Sequence, residues 1–229
     1  MALALLDNIA WNSLNGAQAH LAAGSATARR YVRGLAPLIG FADQARPDFA
    51  ALAAHCEVGE ALYTAGWSGP APAGWHIVSD TQMVQMVWHG AAPALDDGVS
   101  AVPLQPAHAA QILALQVLTR PGPFGPRALD FGSYFGCFEG ERLVALAGER
   151  MHAGTLRETS SVCTDPAFRG RGLARHLVAR LVQQQLQCGQ TPFLHVRCEN
   201  HSAHALYLSL GFREHQVLTT RVVARSEPS

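Results

Sequence analysis

The chain contains no lysine: its 17 basic side chains are all arginine, and 17 acids balance them to a formal net charge of zero. That absence excludes a nucleotide loop of the Gly-Lys-Ser/Thr kind. Charge is scarce as well. With 15% charged and 48% apolar residues over 229 positions, the composition excludes disorder and fits a well-buried globular protein. No broad field of either sign is present, so neither nucleic acid nor an anionic membrane is expected as a partner. Long apolar runs are missing too, and none approaches the ~20 residues needed to span a bilayer. The opening stretch from Met1 meets an acid at Asp7 without a basic lead, too short for a secretory signal. Cysteine is sparse, odd in number and without framework spacing (56, 137, 163, 188 and 198), which points to free thiols in a reducing, cytoplasmic compartment.

Against this background one stretch stands out, Val162 to Arg175. Asp165-Pro166 ends a strand pattern, because proline fixes φ and offers no amide donor. Gly170 and Gly172 then let the backbone bend tightly, and a helix begins near Leu173 whose first-turn amides and dipole face the same point. Arg169, Arg171 and Arg175 crowd it. A phosphate or pyrophosphate is the expected guest. A dinucleotide fingerprint is excluded, since it needs a third glycine where Arg175 stands.

The spacing Arg169-x-x-Gly172-x-Ala174 resembles the acyl-CoA-binding signature of the GNAT superfamily of N-acetyltransferases. A second block, from Asn200 through Ala-Leu-Tyr207 to Leu-Gly-Phe212, resembles that superfamily's late helix. The resemblance covers residues 99 to 229. It implies an acyl-CoA-dependent N-acetyltransferase with an α/β fold built on a mixed (α+β) sheet, taking acetyl-CoA as co-substrate and needing no metal.

Two parts are expected. Residues 1–98 form an N-terminal α/β module, read either as a degenerate copy of the same fold or as a substrate cap. Residues 99–229 form the acetyltransferase domain, and the Pro/Gly-punctuated stretch 90–98 is the linker. Within the first part a helix is predicted over Leu5–Leu21, short strands over Ala36–Phe41 and Ala61–Ala65, a helix opening at Arg46-Pro47-Asp48 and running through Cys56, and a strand over Thr81–His89. This part either borders the acceptor pocket or serves packing, and a homodimer is allowed. The second part reads β-α-β-β-β-α-β-α-β, the superfamily's order. Its stiff Arg120–Pro126 loop places Phe124 and Arg127 as candidates for substrate contact, with a plain connector as the alternative.

Acyl transfer needs a base for the amine, polarisation of the thioester carbonyl and a proton for the departing thiolate. The resemblance implies Glu158 as the base, its pKa raised in a partly dry cleft, and Tyr207 as the acid. It also implies that the backbone of Val162, Cys163 and Thr164 pairs with the pantetheine arm, that Gly170, Leu173 and Ala174 with the glycine and arginine neighbours above cradle the diphosphate, and that Asn200 holds the arm or caps its helix. His195, beside the acceptor, and Glu149 are reserves for the base. Glu158 pairing with Arg150 or Arg157 is its purely structural alternative. Cys198, His201 and His204, with His195 upstream, have metal-ligand spacing, but Cys198 ends a strand where side chains alternate faces and no second ligand pair lies nearby, so no metal is expected. The acceptor is read as a small-molecule amine. An acyl-CoA sensor without turnover is the competing class.

Overall fold

The computed structural model describes residues 3–95 and 98–227, so Asp96 and Asp97 of the expected linker lie outside it. In chain order the elements are α1 (Ile9–Leu14), β1 (Ala22–Gly24), β2 (Ala28–Tyr31), β3 (Ile39–Phe41), α2 (Phe49–Ala53), β4 (Leu62–Ala65) and β5 (Trp75–Trp88). There follow β6 (Val102–Pro103), α3 (Ala109–Thr119), β7 (Tyr134–Glu139), β8 (Arg142–Ala153), β9 (Leu156–Thr164), α4 (Leu173–Gln187), β10 (Thr191–Arg197), α5 (His201–Leu210) and β11 (Phe212–Arg225). The mixed α/β class and the predicted order of the second part are both present. No helix of the described residues is long and apolar enough to cross a membrane.

Eight strands form one sheet in the order β4-β11-β5-β10-β9-β8-β7-β6, and β1-β2-β3 form a small second sheet. All neighbours in the large sheet run antiparallel except β9 and β10. The division expected at residue 98 therefore separates two stretches of sequence and not two sheets. β5, from the first stretch, fills the gap between β10 and β11 and pairs with β11 from Trp88↔Phe212 to Trp75↔Arg225. The physical reason is that β10 and β11 would otherwise each expose a row of unpaired backbone groups in mid-sheet.

Alternation along the strands sorts the core onto two faces. On one face Leu177 and Leu181 of α4 pack on Phe135, Val144 and Ala147, while Tyr207 of α5 joins Met86, Leu194 and Phe212. On the other, Ile112 and Leu115 of α3 cover Tyr134, Leu146 and Cys163, and the N-terminal segment brings Leu6, Ile9 and Leu14 onto Val87, Leu156 and Phe193. The helix predicted over Leu5–Leu21 is shorter, stopping at Leu14. Gln18 is the reason: its amide donates to Arg150 O at 2.7 Å and accepts from the Tyr31 hydroxyl at 2.6 Å and His152 N at 3.0 Å, links that a continuing helix could not make. Asp48 caps α2, accepting from Ala51 N at 2.9 Å.

The N-terminal helix is seated through Gly40. A β-carbon there would come within 2.7 Å of Trp11 N and 2.9 Å of Trp11 Cα. Gly40→Val is accordingly expected to destabilise the protein by about 3 kcal/mol, seen as a lowered midpoint of urea unfolding at unchanged slope.

Candidate active site

The site is a fork in the sheet. β9 and β10 pair in parallel only from Leu156↔Thr191 to Glu158↔Phe193, after which β9 continues to Thr164 and β10 to Arg197 without pairing to each other. β9 is also irregular on its other edge: Cys163 faces Leu146 and Ser160 faces Gly148, so Ser161 and Val162 together oppose Ala147. Ser161 has φ of 55°, the left-handed conformation that such an extra residue imposes. The bulge turns strand amides out of the ladder at the mouth of the fork.

From this fork a cavity of about 1090 Å³ runs to the Arg/Gly loop. Val162, Cys163 and Thr164 line it, as do Arg169 through Arg175, His195, Asn200 and Tyr207. α4 starts at Leu173 with no side-chain cap, leaving its first-turn amides to whatever occupies the cavity. Gly170 and Gly172 have φ of 78° and 77°, and a β-carbon built on either meets no protein atom within 4 Å, so their bare faces look into open space. The arginines are anchored around it: Arg169 Nε donates to Thr164 O at 3.4 Å, Arg171 lies 4.7 Å over the Phe168 ring, and Arg175 donates to Ser209 Oγ at 2.5 Å. This donor set, amides plus guanidiniums and no carboxylate, fits a diphosphate. Asn200 caps α5, accepting from Ala203 N at 3.2 Å. Burial pushes the Tyr207 phenol up to about 12, so it holds its proton.

Glu158 departs from expectation. It is fully buried and is not part of the cavity wall. Arg150 Nε and Nη2 donate to its two oxygens at 2.9 and 2.7 Å, Met151 N at 3.2 Å and His195 Nδ1 at 2.8 Å. Burial alone would raise its pKa, but the Arg150 charge and the hydrogen bonds from Arg150 and His195 outweigh that and hold it near 2. The predicted upward shift is thus reversed: Glu158 is a locked anion. Glu149 is also tied, accepting from Ser133 N at 2.9 Å and Gln185 Nε2 at 3.0 Å. Phe124 and Arg127 lie off the cavity. Arg127 pairs with Asp130 at 2.6 Å and its backbone N–H donates to Gly34 O, while it is Arg120 to Pro123 of the same loop that reach the wall. Among the described residues no three His, Cys, Asp or Glu side chains gather as metal ligands.

Some wall residues come from the first half of the chain: Leu6, Asp7, Ile39, Tyr63 and Thr81. Behind His195, Gln85 Nε2 stands 3.0 Å from His195 Nε2, and Gln85 Oε1 accepts from Gln216 Nε2 at 2.9 Å. A glutamine between valine and methionine in a strand pattern was the available signal for that network.

A strand fork opening onto a glycine and arginine cradle, with a protonated tyrosine on its wall, is the arrangement of an acyl-CoA-dependent acetyltransferase. Residues 134–222 match the family model described as FR47-like protein. N-alpha-acetyltransferase RimI of Mycobacterium tuberculosis is 32% identical over 110 residues, covering 44% of this chain and 68% of that protein. An uncharacterized protein of Mycobacterium leprae is 34% identical over 88 residues, but the chain spans only 24% of its length. A crystal structure from Novosphingobium aromaticivorans, assigned to the GNAT acetyltransferases, superposes with a TM-score of 0.89 at 34% identity, covering 97% of this chain and 99% of that one. The chain belongs to the GNAT family of acetyltransferases.

Proposed function

We propose that the enzyme moves an acetyl group from acetyl-CoA to a primary amine of a small molecule by direct attack, with donor and acceptor bound together. The observation that carries this reading is the fork, which opens toward the Arg/Gly cradle on one side and toward N-terminal wall residues on the other. Bound acetyl-CoA supplies the acetyl group and leaves as the free thiol. Arg169, Arg171, Arg175 and the amides from Gly170 to Ala174 hold the diphosphate. The free edge of β9 at Val162, Cys163 and Thr164 aligns the pantetheine arm as an added strand, and the bulge amides polarise the carbonyl. Asn200 fixes the arm while capping α5. Tyr207 gives its phenolic proton to the sulfur. The five free cysteines suit a reducing compartment such as the cytoplasm.

A protein that only sensed acyl-CoA would have no use for a buried, protonated tyrosine beside the fork. Thiol release from acetyl-CoA with a panel of amines tests the reading. Tyr207→Phe is expected to lower kcat about 100-fold with coenzyme A affinity retained. Normal turnover in that variant removes Tyr207 from the chemistry, and no release with any amine favours the sensor.

A further inference from the structure

We propose that the acceptor is an amine of low basicity that reaches the fork already uncharged, because the carboxylate and imidazole at the fork, Glu158 and His195, leave no atom free to take its proton. This rests on the acetyl-transfer reading above and narrows its substrate class. An ionised carboxylate offers about four acceptor positions, and Glu158 uses four: two for Arg150, one for Met151 N and one for His195 Nδ1. Since that carboxylate can only accept, the proton between the two lies on His195 Nδ1. The single lone pair of the ring is then on Nε2. It is occupied as well, because Gln85 turns its oxygen to Gln216 and is left with an N–H to donate, 3.0 Å from His195 Nε2.

The phenols and the thiol on the wall do not supply a base. Tyr207 and Cys163 are pushed up by burial to about 12 and about 11 and keep their protons, and Tyr63 is a further phenol on the same wall. Asp7 puts a carboxylate on the wall, exposed to solvent on the N-terminal turn, and the test below removes it. Arg120, Arg150 and Arg197 also border the cavity, in addition to the three arginines of the cradle. Permanent cations repel an ammonium and favour its neutral form. The proton balance needs no side chain besides Tyr207: the amine's own lone pair forms the N–C bond, the C–S bond breaks, Tyr207 protonates the sulfur, and the proton shed by nitrogen returns through water to the phenolate.

The chemistry therefore selects for amines with a neutral fraction at working pH. An α-amine of pKa ~7.8 is about one-third neutral near pH 7.5, whereas a lysine-type amine of pKa ~10.4 is neutral in about one molecule in 800. The test measures thiol release from acetyl-CoA with L-alaninamide and with Nα-acetyl-L-lysinamide between about pH 6.5 and 10. Expected is a kcat/KM about 100-fold larger for alaninamide near pH 7.5. The gap should narrow as pH rises, with a midpoint that follows the titration of whichever amine is used and stays put in Asp7→Asn. A preference for the lysinamide, or a midpoint that ignores the exchange of amine or moves in Asp7→Asn, overturns the inference while leaving acetyl transfer intact. Release with neither amine overturns both.

Discussion

Replacing Arg150 by alanine is expected to destabilise the fold by about 3–5 kcal/mol, because it strands the Glu158 carboxylate in the interior without its counter-charge. Arg150 is nearly buried and Glu158 wholly so, with 11% and 0% of their side chains exposed, so solvent cannot substitute for the lost partner. The pH dependence gives a second signature. In the native protein Glu158 sits near 2 against an ordinary 4.5. Its folded pKa is depressed, so this contribution is complete above about pH 4.5 and fades as pH falls toward 2. In Arg150→Ala burial acts with only His195 and Met151 N against it and lifts the carboxyl, so this part of the stability is greatest in acid and declines as pH rises. Urea unfolding at a series of pH values compares the two profiles. If the variant keeps the native profile, Glu158 is not held by Arg150 in the way the geometry shows.

Gly172→Val is expected to weaken coenzyme A binding about 100-fold while leaving the core intact. Left-handed backbone costs a residue with a β-carbon about 1–2 kcal/mol, and the branched side chain would project from the bare face that looks into the cavity, with no protein atom within 4 Å to be disturbed. Gly189 is the control. It has φ of 68°, also faces open space, and lies past the far end of α4. Gly189→Val should carry a similar backbone cost and leave coenzyme A affinity unchanged. Titration calorimetry of both variants separates them, and equal affinities would mean that the Arg/Gly bend does not grip the donor.

Much of the second half was legible because its signals are local. Asp165-Pro166, two glycines and the apolar stripe of α4 mark a strand, a turn and a helix by their own chemistry, and α4 begins at Leu173 as predicted. Tyr207 and Asn200 likewise sit on the cavity wall. What the spacing could not reveal was pairing at long range. β5 was visible only as a strand-forming stretch over Thr81–His89, and its first half, from His76 to Asp80, is mostly exposed and too short to show an alternation of its own. It becomes a strand because β11 runs alongside it. β1 and β2 were missed for a related reason: their alanines and glycine are poor strand formers, and β1 is held by pairing with β2 and β2 by pairing with β3. The error at Glu158 has the same origin. The strand pattern gave no sight of its neighbours: Arg150 on β8 and His195 on β10 decide whether this carboxylate is a base or a locked anion.

The position of β5 also governs when the molecule can assemble. Its partners in β11 begin at Phe212, so even the nearest matched pair, Trp88 with Phe212, is separated by 212 − 88 = 124 residues. As the chain leaves the ribosome, one edge of β5 must wait, uncovered, until β11 is made. Such distant closure makes for slow maturation, and it means that the cavity wall contributed by β4 and β5 is set only once β11 is in place.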